Sequence, residues 1–296
     1  MQPSFPILSL LARLPLPVLR DAGWLLGTAA WWVNRKRRHV TQTNVRIAFP
    51  SWTADTVRAV ARRHIQLMGV SLLDRLWIWL APLDKTVYPR LVLNGFEYLP
   101  DTSHNNQAVI LLVPHFLGIE CVAPAWVAAC AARGLPPPRF TNVFRAPESA
   151  WQRALFRAGR GRFTDTHQFE REAGIRPIIK DLRAGYVFHC SPDSDHGAKD
   201  ALFTPFFGLD AATVTVVPRL ARMLGAIVVP ARTTITATGY QIDIEPAWTP
   251  EMIETDAAGC AAMNAMIERW AADAPEQYLF SHRRYKTRPE GAARVY

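Results

Sequence analysis

The apolar positions along the chain follow two regimes. Over residues 51–80 they recur at intervals of three and four, at Val57, Val60, Ala61, Ile65, Met68 and Leu72. That spacing predicts a helix with Thr53 as N-cap and Pro82 as its stop. After Pro89 the apolar residues gather into short runs at 91–93, 108–113, 140–144, 186–190, 227–229 and 240–244. Each has strand length, and helical patterns at 120–133, 150–158, 174–183 and 214–224 lie between them. Strands alternating with helices predict an α/β sheet covered by helices. A helix at 257–272 and a basic tail close the chain, with no repeat or long linker on the way. The expected organisation is a membrane-associated helical segment, residues 1–50, followed by one α/β domain, residues 51–296.

Residues 5–33 are mostly apolar, but Arg13, Pro15, Pro17, Arg20 and Asp21 interrupt them. The uncharged run that remains, Ala22 to Val33, has 12 residues, whereas a spanning helix needs about 20. The segment also lacks the basic start and small-residue cleavage site of a secretory signal. Trp24, Trp31 and Trp32 precede Arg35, Lys36, Arg37 and Arg38. Aromatic groups beside four cations suit a helix lying in the plane of an anionic leaflet. An amphipathic helix packed on the domain, with a solvated basic end, fits the same residues.

Composition narrows the partners. The 296 residues are 49% hydrophobic and 20% charged, ordinary for a globular chain, while 34 Lys and Arg against 25 Asp and Glu leave a net charge of +9. Such a charge favours nucleic acid, acidic lipid headgroups or an acidic carrier protein. The four cysteines form no C-x-x-C pair, so neither a disulfide scaffold nor a zinc site is expected, and a reducing compartment fits best. Ten tryptophans add weight to a membrane interface.

The most informative local pattern is AVILLVPHFLGIE at 108–120: a buried strand, then His115 in the following turn, then Glu120 five positions on. With a helix starting near Gly118, Glu120 falls in its first turn and can accept a hydrogen bond from the imidazole. The other ring nitrogen is then free to act as a base, as activation of a hydroxyl nucleophile requires. The spacing alone is weak, because His167 and Glu172 repeat it in a polar stretch. Only His115 follows a buried strand, at the end where α/β sheets place their sites. A hydrogen-bonded structural histidine is the competing reading. Walker A, Gly-x-Ser-x-Gly and His-Glu-x-x-His patterns are absent, which removes the main support for phosphate-hydrolysing, serine-esterase and zinc-protease activities.

Beyond these features, the chain resembles the lipid A biosynthesis late acyltransferase family, the lauroyl and myristoyl transferases, over nearly its whole length. The resemblance rests on RRHVTQTNVRIAFP (37–50), HFLGIE (115–120), NVFRAP (142–147), GRGR (159–162), SPDSDHG (191–197) with PFFG (205–208), ATVT (212–215) with RLAR (219–222), and PEQYLFSHRRYKTRPEG (275–291). It implies a glycerolipid-acyltransferase-like fold, with a central mixed sheet flanked by helices. It also implies an enzyme at the cytoplasmic face of the inner membrane, moving a fatty acyl chain from acyl carrier protein to a hydroxyl of a lipid A precursor. His115 and Glu120 would be its catalytic pair, with no acyl-enzyme, no metal and no cofactor. The N-terminal segment is shorter and more charged than the family's usual hydrophobic anchor.

On that reading a bis-phosphorylated glycolipid needs cations, and Arg160 and Arg162, separated by Gly161, are candidates for bidentate phosphate binding; a solvated basic turn is the alternative. Arg145, after the 140–144 strand, is a weaker candidate of the same kind. Backbone N–H groups and Arg160 are candidate oxyanion donors. Asp193 and Asp195 follow the 186–190 strand as paired carboxylates that either touch substrate or stabilise their loop. His196 reads as structural. Arg283, Arg284, Lys286 and Arg288 either meet lipid phosphate or carrier protein, or form a solvated tail. The competing functions are a lysophosphatidate-type glycerophospholipid acyltransferase and a non-catalytic basic protein that binds membrane or nucleic acid; on the leading reading no nucleic acid is bound.

Overall fold

The computed structural model describes residues 5–102 and 107–296, so the first four residues of the expected N-terminal segment lie outside it. The chain opens with four helices: α1 (Pro6–Leu11), α2 (Leu16–Val33), α3 (Arg35–Ala48) and α4 (Ala54–Leu80). There follow β1 (Leu91–Asn94), β2 (Val109–Leu112), α5 (Val122–Ala131), β3 (Phe140–Phe144), α6 (Ala150–Arg160), β4 (Thr166–Glu170), α7 (Arg176–Arg183) and β5 (Val187–Cys190). The last part holds β6 (Ala201–Phe206), β7 (Leu209–Val214), α8 (Val216–Leu224), β8 (Ile227–Ile235), β9 (Tyr240–Ile244) and α9 (Asp256–Asp273).

Seven strands form one mixed sheet in the order β1-β9-β8-β2-β5-β3-β4. Five of them, β8 through β4 in that order, run parallel, and β9 with β1 run against them. The central strand shows why it lies inside: all four residues of β2 are buried. Val109, Leu111 and Val113 join Trp77, Trp126 and Val187 in one apolar layer, while Ile110 and Leu112 join Phe188, Ile178 and Ile267 in the other. A strand covered by helices on both faces needs an unbroken apolar run, which is how it reads in the sequence. The expected α/β architecture with a mixed sheet flanked by helices is present.

Helix α4 starts where predicted, with the Thr53 side chain accepting from the Thr56 N–H. Three strands lie outside the expected set. Strand β4 is a polar edge, and its Thr166, His167 and Gln168 stay partly open to solvent. Strands β6 and β7 form a hairpin closed by Phe207 and Gly208, both with positive φ. Phe207 holds this conformation while its N–H donates to Glu268 at 2.6 Å.

The N-terminal helices pack on the rest of the chain. Gly23 and Gly27 of α2 meet Gly69 of α4, where an added Cβ on Gly69 would lie 2.1 Å from the Gly23 carbonyl oxygen. Arg20, which interrupts the apolar run in the sequence, turns inward instead. It pairs with Asp74 at 2.9 Å and donates to the carbonyls of Thr236 and Gly239, while Tyr240 also donates to Asp74. Trp31 is buried and Trp24 lies under Arg63, so of the three expected interfacial tryptophans only Trp32 is largely exposed. Ile7, Leu10, Val18, Leu25, Leu26, Trp32 and Val33 nevertheless leave an outward apolar surface on α1 and α2. Among the described residues no helix is long and apolar enough to cross a membrane.

Candidate active site

Strands β2 and β5 are parallel neighbours, with Leu112 beside Cys190 and the Val113 N–H donating to the Cys190 carbonyl. Both chains leave the sheet at the same edge. Pro114 follows one and Pro192 the other, and the next residues are His115 and Asp193. Their meeting across 78 residues of sequence is therefore a consequence of the β2–β5 pairing. Asp193 Oδ1 lies 2.7 Å from His115 Nδ1, and Asp193 Oδ2 accepts the His115 backbone N–H at 3.0 Å. One carboxylate thus fixes both the backbone and the ring of the same residue. Asp193 is buried, whereas about a third of the His115 side chain is exposed (33%).

Electrostatics follow from this contact. Burial lowers the His115 pKa and Arg160 opposes the charge, but the charge and hydrogen bond of Asp193, helped by Glu120, leave it above 6.5. Burial alone would raise Asp193; the His115 ring and backbone N–H bring it down to about 2. With Nδ1 held by an ionised carboxylate, His115 carries its proton there and presents Nε2, which has no hydrogen-bond partner among the described residues. That arrangement suits a general base acting on a hydroxyl.

Glu120 takes a different place from the one expected. It lies in a short turn (Ile119–Cys121) that leads into α5, near His115, but its carboxylate is held by Arg160 in a two-point contact, Nη2 to Oε1 at 2.6 Å and Nε to Oε2 at 3.1 Å. The imidazole is hydrogen-bonded by Asp193 and not by Glu120. The physical reason is that Arg160, the last residue of α6, offers a planar fork that matches a carboxylate at both ends. Against burial, Arg160 and Arg75 hold Glu120 ionised, its pKa lowered to about 2. His189 on β5 joins this cluster, and burial keeps it neutral, its pKa lowered to about 4. Sequence reasoning missed Arg75 and His189: Arg75 is half-buried within a long helix, where a cation reads as one more solvated position, and His189 looks like one more position of a buried strand.

The remaining candidates separate. Arg162 does not accompany Arg160; it turns to the C-terminus of α4 and donates to the carbonyls of Ala81 at 2.9 Å and Ile78 at 3.4 Å. These carbonyls are the orphan acceptors of a helix end, so the guanidinium acts as a cap. Arg145 is exposed just after β3, at the same sheet edge as His115. Asp195 accepts from the Thr287 N–H, the Thr287 hydroxyl and the Gly197 N–H, which ties its loop to the C-terminal segment.

That segment is no solvated tail. Phe116 pairs with Tyr278, the Leu279 N–H donates to the His115 carbonyl at 3.0 Å, and buried Arg284 donates to the Ala212 carbonyl and Thr213. Asn44 of α3 donates to the carbonyls of Phe280 and His282, both at 2.7 Å. The two stretches, 37–50 and 275–291, are thus locked to each other beside His115. Arg288 donates to the Asp210 carbonyl, which leaves Arg283 and Lys286 as the members of the basic set without an acceptor oxygen among the described residues.

Comparison with known proteins places these residues in context. The family model described as bacterial lipid A biosynthesis acyltransferase matches residues 5–287. The lipid A biosynthesis lauroyltransferase of Escherichia coli strain K12 is 29% identical over 293 residues, 98% of this chain and 92% of its own length. The palmitoleoyltransferase of the same organism is 29% identical over 296 residues, again covering 98% and 92%. A lipid A biosynthesis acyltransferase of Haemophilus influenzae is 29% identical over 289 residues, 96% of this chain and 86% of its own length.

Proposed function

The chain belongs to the bacterial lipid A biosynthesis acyltransferase family, and from that premise we propose how its site performs O-acyl transfer from acyl carrier protein to a lipid A precursor. The observation that carries the proposal is the family match across residues 5–287 together with a carboxylate-held histidine at the carboxyl edge of the sheet. His115 Nε2 removes the proton of an acceptor hydroxyl. The oxygen attacks the thioester carbonyl, the new C–O bond forms, the C–S bond breaks, and the proton passes from the imidazolium to the leaving thiolate. Atoms and charge balance without an acyl-enzyme. Asp193 orients the ring and stabilises the imidazolium. Glu120 holds Arg160 beside His115, where the guanidinium's remaining N–H groups can face charge developing on the carbonyl oxygen.

The outward apolar residues of α1 and α2 suit a helix pair resting in the cytoplasmic leaflet of the inner membrane, where the acceptor lipid resides. Arg20 does not oppose this, because its charge is spent on Asp74.

The test is direct. Purified protein is incubated with acyl-carrier-protein thioester and either the bis-phosphorylated lipid A precursor or lysophosphatidate. The expected product is the precursor heavier by one acyl chain, detected by mass spectrometry. Transfer to lysophosphatidate alone would replace this reading with a glycerophospholipid acyltransferase. For the anchor, Leu25→Ser with Trp32→Ser should weaken binding to anionic vesicles by about tenfold or more, since each buried apolar side chain contributes about 1.5 to 3 kcal/mol. Unchanged partitioning would remove the helices from the membrane.

A further inference from the structure

Arg160 is committed to Glu120 and Arg162 caps a helix, so both arginines of the expected Arg160–Arg162 phosphate pair are engaged elsewhere, while Arg145 stays exposed beyond β3. A second group of cations has no carboxylate partner among the described residues; Arg283 lies over the Tyr296 ring at 5.2 Å and Arg37 Nη1 meets Met68 Sδ at 4.0 Å. Beyond His282 lies a cavity of about 350 Å³ between the first turn of α3 and the C-terminal segment. Lys36 and Arg37 line one side, Arg283 and Lys286 the other. Its volume is more than ten times the roughly 30 Å³ share of one water. Among the described residues no carboxylate lies within ion-pair distance of these four side chains. The one acid in the lining, Asp195, accepts from Thr287 and Gly197 and feels the charge of Lys286 without forming an ion pair with it. Arg283 Nε is buried without a partner.

Helix α3 adds an independent sign. Its first four residues, Arg35 to Arg38, are all cations, and its first turn contains no acid. The N-terminus of a helix carries partial positive charge, so a run of cations there is repulsive unless an anion is present. Arg38 escapes by donating to the Trp31 carbonyl at the end of α2. Lys36 and Arg37 stay at the cavity.

His282 connects this cavity to the chemistry. It lines the cationic cavity and also the narrow cleft that holds His115 and Asp193. The Asp195 N–H faces its Nε2 at 3.4 Å, which leaves the proton on Nδ1. Burial keeps its pKa below the ordinary value, so at neutral pH the ring is uncharged.

We propose that this cavity is a phosphate-binding subsite, in which Lys36, Arg37, Arg283 and Lys286 hold a substrate phosphate while the reacting hydroxyl or thioester lies at His115. The assignment rests on the acyl-transfer reading above. Its first source is the phosphate of the glycolipid acceptor; the same chemistry is offered by the phosphodiester of a carrier protein's pantetheine arm.

Two measurements on the full chain test the subsite. Inorganic phosphate is titrated at constant ionic strength, followed by the imidazole resonances of His282. Wild type should saturate, and Arg37→Gln/Arg283→Gln/Lys286→Gln should bind about tenfold more weakly. Lys286→Gln alone, at an exposed position, should still weaken binding about threefold if the triple variant does not fold. Equal binding in wild type and variants would overturn the site. In steady-state kinetics the triple variant should raise the acceptor KM about tenfold, with the difference vanishing on an acceptor stripped of its phosphates. A rise confined to the donor KM assigns the cavity to the carrier's phosphodiester. Unchanged KM values for both would overturn a role in substrate binding. If no acceptor is acylated at all, the functional reading fails while the phosphate titration still decides the cavity.

Discussion

Two carboxylates flank His115, Asp193 buried and Glu120 nearly so, and they differ in how far they stand from it in sequence and in what they hold. Glu120 is five residues away, on the same loop, and grips Arg160 with both oxygens. Asp193 is 78 residues away, on the loop after β5, and grips His115 with both oxygens. Each is held ionised by its cation or ring against the cost of burial, with pKa lowered to about 2 in both cases. Nearness in the chain therefore did not decide the partner. The pairing of parallel strands did, because it sends two loops off the same sheet edge side by side, while the neighbour in sequence was claimed by a guanidinium whose geometry fits a carboxylate better than an imidazole does.

The contrast can be broken at its centre first. His115→Ala should lower turnover by about 10²- to 10⁴-fold with the fold intact, the range expected for loss of a general base. Circular dichroism together with an acyl-transfer assay checks it, and near-normal turnover in a folded variant would remove His115 from the mechanism.

Replacing each carboxylate separates them next. Asp193→Asn should reduce kcat by up to about 10⁴-fold, since an asparagine can hold the wrong tautomer. It should also move the acid limb of kcat/KM to lower pH. The sign follows from the causes: burial and Arg160 lower the His115 pKa, Asp193 more than reverses them, and without Asp193 the pKa drops below 6.5. Glu120→Gln should also lower activity by releasing Arg160, but Glu120 is the smallest influence on His115, so the acid limb should stay near its wild-type position. A larger shift in Glu120→Gln than in Asp193→Asn would return the orienting role to Glu120.

The sequence exposes the scaffold of this site more readily than its wiring. The four-residue core of β2 is legible because a strand buried on both faces must be apolar throughout, and α4 is legible from its spacing and its Thr53 cap. Strand β4 is not, because an edge strand carries Thr166, His167 and Gln168 like any loop. The β6–β7 turn is hidden for another reason, since Phe207 is an unusual residue at positive φ. His115, Asp193 and Arg160 were each recognisable as candidates. Their pairing was not, because hydrogen bonds across 78 and 40 residues depend on strand order, which local pattern does not encode.

Arg160→Ala tests the other half of the contrast through stability. Removing one member of this partly buried pair leaves an uncompensated charge and costs about 3 kcal/mol, the lower end of the range for buried pairs because both side chains keep some exposure. In wild type the Glu120 pKa is depressed from 4.5 to about 2, so its stabilisation is present above pH 4.5 and lost as pH falls toward 2. In Arg160→Ala burial is less opposed and the Glu120 pKa moves upward. The variant's deficit against wild type, read from denaturant midpoints, should therefore be largest near neutral pH and shrink on acidification. Glu120→Ala/Arg160→Ala should recover part of the loss.

Arg162→Ala should have the smallest effect and a different character, although Arg162 stands two residues from Arg160. Its guanidinium is spent on the Ala81 and Ile78 carbonyls at the end of α4, and the 2.9 Å contact to Ala81 is the better of the two. Losing a charge-assisted hydrogen bond of this kind costs about 1.5 kcal/mol, the lower part of the range because the group is half-buried. The denaturation midpoint should fall accordingly with the m-value unchanged, while the acceptor KM stays within twofold of wild type. A tenfold rise in acceptor KM at unchanged stability would place Arg162 on the substrate after all, and with it the phosphate that the cavity behind His282 is proposed to hold.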